Sequence, residues 1–339
     1  MGGIGKYAFT RLLLTIPMLF ILLTLVFIIL RVMPGNPCLS MLGGRNAPQS
    51  AIDRCIKQYD LNKPLYLQYF QYLGNIARGN FGTSIRTGRP VVKDVFDRFP
   101  ATFELAIFSM LIAILIGMFT GIFASTHSDR LADHSLRIFN IVSFAMPIYW
   151  VGLMAQLIFA VKLGILPVGG RLEPITAAYF HPITKFYVLD SILQKNWGLL
   201  IEVLKHLFLP ALTLGLVQSG FLGRISRSSM LEVLDKDYVT TARSKGLRER
   251  IVIYQHALKN ALIPIVTISG LQFALLLGGA ILTETTFSWP GLARYLLRSI
   301  DARDFFALQG TIVFFAIFIS TVNLIVDVIY SLIDPRVKY

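Results

Sequence analysis

The sequence predicts an all-α integral membrane protein with six transmembrane helices and a long external segment after the first. Composition comes first: 55% of the 339 residues are hydrophobic and 15% charged, with a mean hydropathy of +0.64. A soluble domain is nearer half apolar and a quarter charged, so this chain carries more apolar surface than one water-facing core can hide. The second observation is how that surface is distributed. It falls in runs of about 20 residues, which at a rise of ~1.5 Å cross a hydrocarbon core of ~30 Å. Within such runs the backbone must be helical, because lipid offers no partner to an open N–H or C=O.

Six runs meet this length, at 12–33, 101–125, 136–160, 204–223, 262–283 and 308–330. The first exceeds a signal-peptide core of about 7–15 residues and is followed by no small-x-small cleavage site, so it is expected to remain as a helix. The third is interrupted by Pro147 and the fifth begins at Pro264. A proline at that depth needs protein neighbours to satisfy the carbonyl it releases, so both helices are expected to face protein. The expected divisions are an N-terminal helix over 1–33, an external segment over 34–99, a membrane core over 100–331 and a tail over 332–339.

The segment 34–99 holds turn signals at Pro34-Gly35, Gly43-Gly44 and Gly79-Asn80. Between them, the apolar residues of Tyr66–Leu73 recur at helical spacing and predict a short helix at the membrane surface or against the bundle. Six spans put both termini, 126–135 and 224–261 on one side, and these pieces are the more densely basic. Short basic loops stay inside, which predicts cytoplasmic termini in a cell membrane. The net charge of +13 is spread through loops between apolar blocks, which fits an anionic bilayer surface rather than nucleic acid.

The chain offers little chemistry of its own. No Gly-x-x-x-x-Gly-Lys-[Ser/Thr] phosphate loop occurs, so ATP hydrolysis is not expected here and the chain is read as no enzyme. No cysteine–histidine cluster or histidine pair at metal-ligand spacing occurs, so neither a metal site nor a membrane hydrolase is expected. An ion-coupled secondary transporter needs titratable groups near mid-membrane. The candidates, Glu104 and Asp327, lie toward span ends. Cys38 and Cys55 flank 16 residues of the segment assigned outside. A disulfide is permitted there, and two unpaired thiols fit equally.

The most charged loop, 224–261, contains Asp237-Tyr238-Val-Thr240-Thr241-Ala242-Arg243-Ser-Lys245-Gly246. Tyr238, Thr241, Ala242 and Lys245 share one face of a helix, and Gly246 is placed to end it in a left-handed conformation. A small-faced helix with a basic rim fits a partner's groove; a basic loop against headgroups is the other reading. After the fifth span, Glu284-Thr-Thr-Phe287-Ser288-Trp289-Pro290-Gly291 places two aromatics in a turn. Such a turn serves as an interfacial anchor or packs on protein.

The loop resembles the coupling loop of binding-protein-dependent ABC importer permeases. The shared pattern Glu-Ala-Ala, three residues, Gly falls on Thr240, Thr241, Ala242 and Gly246, with two of four letters kept. The departures resemble the peptide-transport branch, as do Arg31-Val-Met-Pro34-Gly-Asn-Pro37, Leu61-Asn-Lys-Pro64, Arg98-Phe-Pro100-Ala-Thr-Phe-Glu104, Leu209-Pro210-Ala211 and Asn323-Leu-Ile-Val-Asp327, in order along the chain. The resemblance is to the B-type transmembrane subunit of dipeptide/oligopeptide importers, with the type I permease fold. It implies a second, C-type permease subunit, two cytoplasmic ATPases carrying ATP and Mg, and an external peptide-binding protein as partners, and no cofactor on this chain. It implies that Asp237–Gly246 docks into an ATPase and that Glu284–Gly291 folds over the pathway mouth to meet the binding protein. Relatives of this type also carry oligosaccharides, nickel complexes or haem, and those remain the alternatives to a peptide.

Overall fold

The computed structural model describes residues 2–32, 38, 48–58 and 61–333. The predicted turns at Pro34-Gly35 and Gly43-Gly44, the Asn-Pro at 36–37 and the tail beyond residue 333 lie outside the described residues. Among the described residues the fold is helical throughout, apart from one antiparallel bridge between Thr83 and Pro90.

Chain order explains the architecture. Helix α1 (Gly2–Val32) crosses first, and the short helices α2 (Gln49–Gln58) and α3 (Leu65–Ala77) follow. Helix α3 is the short helix expected around Tyr66–Leu73, and it lies against the bundle. Its Tyr72 packs with Phe27 of α1, and the Tyr72 hydroxyl donates to the Leu23 carbonyl at 3.3 Å. Next come α4 (Val91–Thr126), α5 (Leu131–Ala145) and α6 (Ile148–Ala155), which continues as a wider π turn over Gln156–Lys162. Two short helices, α7 (Pro174–Tyr179) and α8 (Tyr187–Leu193), lead into α9 (Trp197–Leu234). The basic loop holds α10 (Asp237–Ser244) and passes through a π turn (Val252–Ala257) into α11 (Leu258–Gly279). Helices α12 (Ile281–Thr286) and α13 (Leu292–Asp301) precede the last crossing, α14 (Phe305–Ile333).

Five helices are each long and apolar enough to cross a membrane, and α5 with the α6–π segment makes a sixth crossing only as a pair bent by 101°. The sequence predicts a single third span; the structure breaks it at Pro147, whose ψ of 125° is extended. A proline supplies no N–H to the preceding turn and disfavours helix at the residue before it, so the chain turns there. Pro264, by contrast, lies inside α11 rather than at its start. The predicted boundary at 99/100 also moves, because α4 begins at Val91 and carries Pro100 within it.

The core is the seam between α4 and α9. Small residues let two backbones approach within membranes, where water supplies no drive to associate. A Cβ added at Gly121 would stand 2.4 Å from the Ser226 Cβ and 2.7 Å from the Gly223 carbonyl oxygen. Leu105, Leu207, Leu214 and Leu222 are fully buried around this seam. The bend in the third crossing brings Gly220 and Gly223 against Asn140. The Asn140 amide oxygen accepts from the Thr120 hydroxyl at 3.1 Å, which ties α5 to α4.

Candidate functional site

Two constellations stand at opposite ends of the bundle. At the basic-loop end, α10 is seated by its own apolar stripe. Val239 and Ala242, three residues apart, are buried against Val252 beside Val233 and Leu234. Gly246 follows the helix at φ +74°, a left-handed conformation that glycine adopts without a Cβ penalty, and its N–H donates to the Arg243 carbonyl at 2.9 Å. Arg243 reaches Glu249 at 2.8 Å across the turn. Near this end the Asp133 carboxylate takes two bonds from Arg227, each 2.7 Å, pinning α5 to α9.

This geometry corrects one expectation. Ala242 does not share an outward face with Tyr238 and Thr241; it turns into the chain, because the Val239/Ala242 stripe is the only apolar face so short a helix has. The surface left to solvent is Asp237, Tyr238, Thr240, Thr241, Arg243, Ser244, Lys245 and Gly246, extended by Leu247. Tyr238 is 42% exposed and Leu247 38%. The Tyr238 hydroxyl accepts from the Asn260 amide at 2.9 Å, which fixes the ring against α11.

At the opposite end, the segment Glu284–Gly291 is a plug rather than a surface. Trp289 is 0% exposed and Phe287 1%. The Trp289 indole donates to the Ala101 carbonyl at 2.9 Å, and the Phe287 carbonyl accepts from the Gly170 N–H at 2.9 Å. The Glu284 carboxylate accepts from the Thr102 hydroxyl at 2.6 Å and the Arg294 N–H at 2.8 Å. Gly291 has no side chain because there is no room: a Cβ would lie 2.2 Å from a Glu284 oxygen. Burial pushes the Glu284 carboxyl up to about 7, against the pull of these donors. Of the predicted gate residues, Ser288 and Pro290 alone are exposed; Glu284, Phe287, Trp289 and Gly291 cannot offer themselves to a partner in this conformation. The physical reason is that two large aromatics beside a helix end gain more from burial in the bundle than from an interface.

Sequence reasoning missed what holds this end together. Arg171 is buried and its guanidinium meets the Glu104 carboxylate at 2.5 Å. The same guanidinium stacks 3.5 Å over the Tyr187 ring and stands 5.5 Å from that of Trp289. Glu104 also accepts from the Val188 N–H at 2.8 Å, so one carboxylate ties α4 to α8 and to the segment before α7. Glu104, weighed from sequence as an ion-coupling group, is here half of a closed pair. No spacing rule links residues 67 and 84 positions apart; a lone charge among apolar residues of α4 was the one available signal. Elsewhere in the same end, the buried Asp304 accepts from the Ser84 hydroxyl at 2.6 Å and the Arg86 N–H at 3.2 Å.

Cys38 is buried and disulfide-bonded; the side chain of Cys55, the other cysteine, lies outside the described residues. No group of three or more metal-ligating side chains occurs among the described residues.

Comparison with known proteins follows the whole length of the chain. Residues 113–339 match the model of the family described as binding-protein-dependent transport system inner membrane component, and residues 5–106 match its N-terminal companion. The chain is similar to the dipeptide transport system permease protein DppB of Alkalihalophilus pseudofirmus, 43% identical over 98% of this chain and 99% of that one. It is similar to the di/tripeptide transport system permease protein DppB of Pseudomonas aeruginosa, at 40% identity over 97% of each chain. The glutathione transport system permease protein GsiC of Escherichia coli is 36% identical over 98% of this chain and 99% of its own. Among solved structures, an inward-facing form of the MetNI methionine ABC transporter aligns with TM-score 0.49 and 13% identity, covering 72% of this chain and 96% of that one. That likeness is too loose to place any residue.

Proposed function

Because this chain belongs to the binding-protein-dependent transport system inner membrane component family, we propose that it is one transmembrane half of an ATP-driven importer of di- or oligopeptides. Near full-length similarity to dipeptide and di/tripeptide permeases supports the peptide as cargo. The partners in this reading are a second permease subunit, two cytoplasmic ATPases that hold ATP and Mg, and an external solute-binding protein. The termini and α10 face the cytoplasm, and Glu284–Gly291 faces outside.

The observation that carries the reading is α10. Its apolar stripe is spent inward, so the helix is rigidly seated, while Tyr238, Thr241, Lys245 and Leu247 stand exposed at its outer surface. An ATPase groove that grips this surface moves α10, and through Val239, Ala242 and Val252 it moves the ends of α9 and α11. Closure of the ATPases on ATP then rocks the spanning helices toward an outward-open state, and hydrolysis returns them. Such alternation is a rigid-body change between two packed states, biased by ligands at both ends. The plug around Trp289 closes the outer end in the resting state and must part from Ala101 for cargo to enter.

The test is Lys245→Glu combined with Leu247→Asp in the complete transporter reconstituted in proteoliposomes. The expected result is loss of ATPase subunits on purification and loss of ATP-dependent peptide uptake, with normal membrane insertion. Full retention of both would overturn the docking assignment. Mass spectrometry of the ligand carried by the cognate binding protein checks the cargo; an oligosaccharide, nickel complex or haem in place of a peptide would redirect it.

A further inference from the structure

Beside the Trp289 plug lies a cavity of about 240 Å³ walled by four arginines, Arg86, Arg98, Arg294 and Arg298, with Tyr295 and Pro290. Their charge is poorly met. Arg98 pairs with Asp94 at 2.9 Å, but that carboxylate also has Arg89 at 3.5 Å. It further accepts from the Thr87 hydroxyl and, at 3.2 Å, from the Tyr295 hydroxyl. The Arg294 guanidinium is spent on a neutral acceptor, the Ser288 carbonyl, at 2.7 Å. Among the described residues no carboxylate lies within ion-pair distance of the Arg86, Arg294 or Arg298 side chains. Burial and then the neighbouring Arg298 hold Arg294 below its ordinary value, with Arg86 adding to the effect and the Glu284 carboxylate opposing it.

The backbone that carries the cluster is held in place. The Arg86 backbone is fixed by Asp304, and α13, which carries Arg294 and Arg298, is fixed at its start by Glu284 and Thr102. Like charges gathered around one cavity raise the energy of the empty site, and an incoming carboxylate relieves it while gaining forked, charge-assisted bonds.

We propose that this arginine cavity is the socket for one or two surface carboxylates of the solute-binding protein, which dock there when it delivers its cargo. The inference rests on the importer reading above and adds the chemistry by which the partner is recognised. Two features favour a protein-borne carboxylate over the cargo itself. The floor behind Pro290 is closed by Trp289 and Leu292, both 0% exposed, so the cavity leads nowhere inward. Its volume is below the ~300–1,000 Å³ of a site that engulfs a small molecule. A charged socket of this kind also steers encounter, raising the association rate at low salt.

The experiment uses the whole transporter in nanodiscs and its peptide-loaded binding protein, with association and dissociation followed at 50 and 300 mM NaCl. For Arg86→Glu with Arg298→Glu, we expect at least a tenfold loss of affinity at low salt, chiefly in association rate, and a flatter salt dependence. Should that complex fail to assemble, Arg86→Gln with Arg298→Gln is expected to show a loss of about threefold or more, and Arg86→Lys with Arg298→Lys to keep most of the association rate. Unchanged affinity and salt slope in both the Glu and Gln pairs would overturn the proposal. So would a raised KM for peptide with binding-protein affinity intact, which would assign the cavity to cargo, or an effect that vanishes in nanodiscs lacking anionic lipid, which would assign it to headgroups. If the unaltered transporter binds no binding protein at all, the importer reading fails with it, an outcome distinct from loss confined to the variants.

Discussion

Removing either partner of the Arg171–Glu104 pair should unlock the Trp289 end of the bundle. Both side chains are nearly fully buried, 5% and 4% exposed, so truncating one leaves the other charge stranded. That costs about 3–5 kcal/mol, equal to at least a 100-fold rise in local opening at 1.4 kcal/mol per decade. Replacing both, as Glu104→Leu with Arg171→Met, removes the stranded charge. What remains is the Val188 N–H that Glu104 satisfied, a buried donor worth about 1–3 kcal/mol, and the part-buried Lys185 carbonyl, whose longer bonds from Arg171 at 3.2 and 3.3 Å are the smaller loss. The double variant should therefore be milder than either single one, with a coupling of at least about 3 kcal/mol. The assay is hydrogen exchange of the Val188 and Trp289 amides in nanodiscs, for the four corners of the cycle. Additive single effects, or a single variant that costs under about 1 kcal/mol, would refute the claim that this pair clamps α4 to the segment 163–196.

Glu284 gives that end a pH dependence. Its folded value of about 7 lies above the ordinary 4.5, so its contribution is fully present below pH 4.5 and lost as pH rises through 7, by about 3 kcal/mol in all. Protection at 284–295, taken relative to the intrinsic base-catalysed exchange rate at each pH, should fall about tenfold between pH 6 and 8 in the native chain and lose that slope in Glu284→Gln; a slope that persists would acquit Glu284. At the seam, Gly121→Leu should abolish stable accumulation of the chain, because its Cβ alone would stand 2.4 Å from that of Ser226; normal yield would mean the seam can open. Ser288, exposed beside the buried aromatics, should crosslink to the binding protein in the assembled importer, and labelling by lipid-phase probes alone would instead make this turn a membrane anchor.

Most of the architecture was legible because lipid imposes simple rules. Apolar run length located every crossing, and Gly246 announced the end of α10 since few other residues tolerate its φ. The rest depended on contacts between distant residues. Pro147 marks in the sequence where the third crossing can bend; how α5 then packs depends on Gly220 and Gly223, over 70 positions away, which take Asn140 and Phe144 at close contact. The inward turn of Ala242 required knowing that Val252 would stand beneath it. Trp289 reads from sequence as an interfacial aromatic, and only the carbonyl of Ala101, 188 residues earlier, makes it a plug. Local pattern fixes which residues are helical; partner identity fixes which way each one faces.

The two ends are joined by the two longest helices. Helix α9 has 38 residues and α4 has 36, so each runs more than 50 Å at ~1.5 Å per residue, well beyond a ~30 Å hydrocarbon core. Their shared seam, packed to backbone contact at Gly117, Gly121 and Gly215, leaves no slack for one to slide on the other. The pair is therefore one rod. Its basic-loop end carries Met230, packed on Ala257 and Ala261, and continues into α10. Its other end carries Thr102, Glu104 and the Ala101 carbonyl, which hold the Trp289 plug. A tilt applied at α10 is then carried along the seam as displacement of the pair, up to Pro100 and Pro210, the interior positions at the Trp289 end where each helix can bend. The α5–α6 break at Pro147 and the π turns at Gln156–Lys162 and Val252–Ala257 lie on the helices around the rod, where bending can absorb that motion.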